Sequence, residues 1–150
     1  MADPEPPPGW FQVSYLYDAS PEAVFAAWVD PDQVAVWWVP EGLEIPSESV
    51  VVEPRVGGRF ELDMIEPGGT SHPLRSVFEE LVEPELIVLR SEPIPGAGLT
   101  EPTLTRATFV PEGDGTRMTV TAGPYPDQMR GPAEAGWRAL VQNLEKLLSG

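Results

Sequence analysis

Few residues in this sequence are equipped for covalent or acid–base chemistry. His72 is the single histidine and there is no cysteine, which excludes a thiol nucleophile, a Cys-type zinc site, a multi-histidine metal site and the HExxH arrangement. Beside Pro73, His72 reads as a turn residue at a strand start rather than a general base. A Ser-His-Asp triad is allowed by composition, but there is no GxSxG elbow and no parallel-sheet pattern to carry one. The GAG at 96–98 lacks the third glycine and the strand-turn-helix setting of a dinucleotide fingerprint, so it reads as a loop. No catalytic residue, metal or cofactor is assigned.

Carboxylates are plentiful, with 24 Asp plus Glu. General acid–base work needs one of them desolvated, and Glu61, Asp63, Glu79 and Glu80 read instead as the solvated face of strands. In RVGGRF, residues 55–60, paired glycines permit positive φ and a tight reversal. Arg55 and Arg59 are the polar candidates for a cavity mouth, where a guanidinium would meet a ligand carboxylate or phosphate; a plain hairpin is the favoured reading, with Arg55 bonded to a loop carbonyl or a carboxylate of its own chain. The large aromatics Trp28, Trp37, Trp38, Phe60, Phe78, Phe109 and Trp137 are mostly core.

These residues must be positioned by the elements around them. FQVSYLYD alternates with period two and reads as a first strand. Ser20, Pro21 and Glu22 open a short helix with Val24, Phe25 and Trp28 as its apolar stripe. Asp30, Pro31 and Gln33 repeat the device as cap, first helical residue and reciprocal capping partner, and this second helix ends before Pro40. From 47 to 122 follow six alternating runs, SESVVVEP, GRFELDMIE, LRSVFEELV, LIVLRSE, LTRATFV and TRMTVTA, with Asp114-Gly115 marking a tight hairpin between the last two. PAEAGWRALVQNLEKLLSG then carries Trp137, Leu140, Val141 and Leu144 on one helical face. Helices segregated from an antiparallel meander define an α+β domain, with two short helices plugging one end of a curved sheet that already holds a long helix. Such a wedge leaves room for an apolar pocket.

Length and charge narrow the function. A chain of 150 residues is one ordinary domain; residues 1–10 read as a flexible, acidic, proline-rich leader and 11–150 as a single domain. A net charge of −15 with nine Lys plus Arg argues against nucleic acid and anionic membrane surfaces, which need a basic patch. No apolar run reaches the roughly 18 to 20 residues of a membrane span, and a cytoplasmic location is expected.

In order and spacing, SPEAVFAAWVDPDQVAVWW, VEPRVGGRFELDM, RSVFEELVEPELIVL, GDGTRMTVT and AEAGWRALVQNLEKLL resemble the activator of heat-shock-protein-90 ATPase-like branch of the START-related helix-grip superfamily, also called SRPBCC, over roughly residues 11 to 149. The resemblance implies six to seven antiparallel strands around the C-terminal helix, with a cavity that in this superfamily takes hydrophobic molecules such as lipids, sterols or polyketides. It departs from the family at Val39-Pro40, where Gly-Pro is common, and at Ser76, where a glycine often opens the fourth strand. The function expected is therefore a binding module for a small hydrophobic ligand, with Trp38, Phe60, Met64, Phe78, Trp137 and Leu140 as candidate lining residues. A cyclase or dehydratase acting on a polyketide-like substrate and a co-chaperone-like interaction domain are the alternatives, and a homodimer stays open. Adjacent helical residues point about 100° apart, so of the two neighbouring tryptophans one is expected in the core. Trp37 is taken as the anchor and Trp38 as the residue at the cavity's entrance.

Overall fold

Alternating runs pair with their neighbours in sequence, and the outcome is a seven-stranded antiparallel sheet. The computed structural model describes residues 7–149; residues 1–6 of the expected leader lie outside it. Its elements are β1 (Phe11–Tyr17), α1 (Pro21–Val29), α2 (Pro31–Trp37), β2 (Val51–Val52), β3 (Arg59–Ile65), β4 (Ser71–Val82), β5 (Leu86–Ser91), β6 (Thr103–Glu112), β7 (Gly115–Gly123) and α3 (Asp127–Ser149). The strand order is β1-β7-β6-β5-β4-β3-β2, so the meander β2 to β7 ends by receiving β1. One face stays wet. The other buries Phe11, Val13, Phe60, Leu62, Phe78, Leu89, Phe109, Met118 and Val120 against α3, which contributes Trp137, Leu140, Val141 and Leu144. No helix among the described residues is long and apolar enough to cross a membrane.

Four boundaries differ from the sequence reading, each for a local reason. The first expected run of the meander shrinks to Val51–Val52 because residues Ser47–Ser49 form a 3-10 turn. There the Ser49 hydroxyl donates to the Pro46 carbonyl at 2.7 Å and accepts from the Asp63 N–H at 3.1 Å, offering the backbone an alternative to the ladder. The last hairpin turns on Gly113-Asp114, since Glu112 pairs with Gly115. Gly113 has φ +61°, while Gly115 opens β7, where a Cβ would stand 2.2 Å from the Tyr17 carbonyl oxygen. In β4 the register shifts between Phe78 and Glu80, a bulge that moves the inward positions from Leu74, Ser76 and Phe78 to Leu81. Finally, α3 starts at Asp127, ahead of Pro132, which stands inside the helix and has no N–H for the carbonyl one turn back.

The RVGGRF reversal forms as expected. Gly57 takes φ +84°, and Gly58 lies so close to the preceding turn that a Cβ would sit 2.0 Å from the Glu53 carbonyl oxygen. Ahead of β1 the chain is already tied down: the Tyr125 N–H donates to the Gly9 carbonyl at 2.8 Å, and the Trp10 ring covers Gly123.

Candidate functional site

The site grows from the corner between α1 and α2. Ser20 caps α1 by accepting the Ala23 N–H at 3.2 Å, and Asp30 caps α2 by accepting that of Asp32 at 3.0 Å. Gln33 does not reach the backbone of its cap as the capping-box reading expects. The Asp30 N–H is already donated to the Ala26 carbonyl to close α1, so the Gln33 amide donates to the Asp30 carboxylate at 3.0 Å. That bond, followed by the backbone N–H bonds, holds the Asp30 carboxyl below its usual range. One carbonyl is left over. The helical partner of Ala27 would be residue 31, a proline without an N–H, and the Trp37 indole N–H donates to that carbonyl at 2.8 Å instead.

Trp37 is thus a fully buried anchor. Trp38 keeps the helical N–H bond to the Val34 carbonyl at 2.9 Å, and its ψ of 58° turns the chain only beyond it; it is enclosed because Phe60 of β3 and Trp137 of α3 pack around this end of α2. Both tryptophans are buried, at 0% and 7% exposure, where the sequence reading placed only one in the core. From α3 the Asn143 amide donates to the Trp37 and Val39 carbonyls at 3.3 and 3.2 Å, fixing the turn. Around them Trp28 stacks on Trp137 at 5.7 Å, Trp38 meets Trp137 edge-on at 4.9 Å, and Phe60 lies 5.1 Å from Trp38.

Past this aromatic cluster, toward the open end of the sheet, the packing leaves a cavity of about 130 Å³. Trp38, Trp137, Met64, Leu74 and Leu89 form its apolar wall. Between β5 and β6, Glu92, Ile94 and Leu99 border it; Ile94 and Leu99 bridge each other through backbone bonds of 2.7 and 3.1 Å. Gly98, at φ +85°, is backed by the Met129 sulfur of α3.

Beside Leu74 and Leu89, on the same inner face of the sheet, runs a row of hydroxyls across three neighbouring strands. Ser76 pairs with Ser91 and Ser91 with Thr103 in the sheet register, so their side chains share the inner face. The Ser76 and Ser91 hydroxyls are 2.7 Å apart and buried. Thr103 is hydrogen-bonded to Tyr125, whose phenol is pushed up by burial and drawn slightly back by that bond. Thr105, also buried, completes the set. The titratable groups lining the cavity are Glu92, exposed at its rim, and Tyr125.

Of the six candidate lining residues, Trp38, Met64 and Trp137 border the cavity. Phe60 and Phe78 instead meet edge-to-face at 6.0 Å within the core, and Leu140 is buried on α3. Arg55 and Arg59 lie away from it. Both reach Glu53 on the surface, at 3.8 and 3.3 Å, and the bonds from Arg59 hold the Glu53 carboxyl below its ordinary range. Asp63 pairs with Arg75 at 3.1 Å and Glu79 loosely with Arg90 at 4.0 Å, while His72 bonds Glu66 outside the cavity. No group of three His, Asp or Glu among the described residues is placed to hold a metal ion. Sequence reasoning missed Ser91, Thr103, Thr105 and Tyr125. Ser76 was singled out only as a departure from glycine.

Solved structures repeat this architecture. Protein CV1439 from Chromobacterium violaceum is 25% identical with a TM-score of 0.85, the match covering 95% of this chain and 98% of that one. Protein NE0264 from Nitrosomonas europaea is 22% identical with a TM-score of 0.80 over 98% of both chains. The AHSA1 protein from Silicibacter pomeroyi is 19% identical with a TM-score of 0.77, over 93% of this chain and 97% of its own. No curated protein matches. Residues 18–149 match the family model of the activator of Hsp90 ATPase homolog 1-like protein, and the chain belongs to that family, within the START-related helix-grip fold.

Proposed function

We propose that the protein is a binding module for a small, largely apolar molecule held between the sheet and α3. The observation that carries this reading is the cavity itself, bordered by two tryptophans and by a sheet face on which Met64, Leu74 and Leu89 stand among hydroxyls. Its volume of about 130 Å³ is close to the ~150 Å³ of an apolar cavity that accepts benzene, and below the roughly 300 to 1,000 Å³ of drug-sized sites. A single ring or a short branched chain matches it. A lipid, sterol or polyketide needs several times that space, which narrows the ligand class raised by the family resemblance.

Binding is favoured over acid–base catalysis by the same lining. A cyclase or dehydratase needs a group whose pKa lies near neutrality aimed at the substrate. Burial pushes the Tyr125 phenol away from neutrality, and Glu92 is exposed at the rim. The test is a thermal-shift series from benzene through naphthalene to decanoic acid. Single-ring compounds at about a hundred times their Kd should stabilise by ~2.7 kcal/mol. Stabilisation by decanoic acid alone, or by none of the series, contradicts a cavity of this size.

A further inference from the structure

We infer that the Ser76–Ser91 pair and Thr105 select neutral ring-sized ligands that carry one carbonyl or hydroxyl group; this rests on the cavity being the binding site. Two serine hydroxyls bring two O–H donors, and their mutual bond at 2.7 Å uses one. Among the described residues neither serine makes a further side-chain hydrogen bond, and Thr105 makes none, although all three are at most 7% exposed. The cavity wall therefore holds two unspent hydroxyl donors and several lone pairs. Alanine and valine would fill the same positions without polar atoms to satisfy.

Charge complements the count. Among the described residues no cation lines the cavity. The arginines next to these residues along the strands stand on the other face of the sheet: Arg106 beside Thr105, and Arg75 and Arg90 in a groove of about 340 Å³ that Ser76 and Ser91 also border. The latter two are engaged there, Arg75 with Asp63 and the Leu62 and Leu74 carbonyls and Arg90 with Glu79. A ligand carboxylate inside would be desolvated without a counter-charge, beneath a rim that carries Glu92, and burial under those conditions is strongly unfavourable. A neutral carbonyl or phenol loses little water and finds an amphoteric hydroxyl that either donates or accepts. The ring rests against Trp38, Trp137 and Leu89.

The experiment measures Kd for toluene, phenol, benzaldehyde and benzoate by calorimetry. It uses the wild type, the Ser76→Ala/Ser91→Ala double variant and Thr105→Val. Removing both serine hydroxyls leaves no orphaned partner, so the double variant retains the fold; Thr105→Val keeps side-chain shape and gives an independent reading. Phenol and benzaldehyde should bind the wild type about five- to tenfold more tightly than toluene, with no measurable benzoate binding. That ratio should collapse toward one in the double variant and shrink in Thr105→Val, while toluene affinity is retained. Equal affinities for toluene and phenol in the wild type, an unchanged ratio in both variants, or tight benzoate binding overturns the inference while leaving the binding module standing. Failure of all three neutral compounds to bind any of the proteins overturns both.

Discussion

Leu89→Ala is the substitution that asks most of the cavity. Leu89 is 1% exposed and lies in β5, flanked by β4 and β6, opposite Phe78 on one side and Thr105 on the other. Truncation removes three carbons whose transfer alone is worth about 2.4 kcal/mol at ~0.8 kcal/mol per methylene. The space they vacate joins a void that already measures about 130 Å³, and strands hydrogen-bonded on both sides do not collapse into it. The cavity term, ~24 cal/mol per Å³, therefore adds nearly in full, putting the loss at ~3 to 5 kcal/mol. For a domain of this size that is a drop in Tm of roughly 6 to 20 °C. Urea denaturation of the two proteins, with unchanged m-values, measures it. Naphthalene should stabilise Leu89→Ala more than the wild type, since the enlarged space accepts the second ring. A loss below about 1 kcal/mol, or equal stabilisation by naphthalene, refutes the claim that Leu89 is a rigid wall of a preformed cavity.

Trp37→Phe removes the side-chain donor to the Ala27 carbonyl and should cost at least ~1 to 3 kcal/mol for the orphaned acceptor, read from the urea midpoint; a smaller change would mean that the Pro31 gap needs no filler. Gly58→Ala should destabilise more than Gly57→Ala, because a Cβ at Gly58 meets backbone at 2.0 Å whereas Gly57 has open space and only its φ of +84° to oppose substitution. That cost at Gly57 is ~1 to 2 kcal/mol, and chemical denaturation giving the reverse order would contradict the geometry. Burial pushes up the phenols of Tyr17 and Tyr125, so above about pH 10 the unfolded chain releases protons that the folded one retains. Stability contributed by these groups is complete below pH 10 and falls by up to ~1.4 kcal/mol per pH unit for each tyrosine above it. Tyr17→Phe, which also loses the 2.8 Å bond to the Val141 carbonyl, should roughly halve that alkaline slope; an unaltered slope would contradict the assignment.

The sequence reading was strongest where one local rule decided the outcome. Caps at Ser20 and Asp30, period-two runs and the terminal stripe through Trp137 and Leu144 were legible because each depends on residues within a turn or two of one another. The hydroxyl row was not. Ser76, Ser91 and Thr103 become neighbours only through strand register, and that register is set by the β4 bulge and the irregular segment 92–102, neither of which carries a periodic signal. The two tryptophans show the same limit from the other side. A helix aims them about 100° apart, yet both are buried because this end of α2 is enclosed from several sides, Trp37 packing on Trp28 of α1 and Trp38 on Phe60 of β3 and Trp137 of α3. Arg55 and Arg59 sit on a well-predicted reversal, yet Glu53 claims them locally.

The central claim, that a small neutral molecule occupies the space between Trp38, Trp137 and the serine pair, is tested most directly by a crystal structure grown with 4-bromophenol. An anomalous bromine peak is expected inside the cavity, with the phenol oxygen within hydrogen-bonding distance of Ser76, Ser91 or Thr105. A bromine peak only on the outer sheet face, or an empty cavity at saturating ligand, would contradict it.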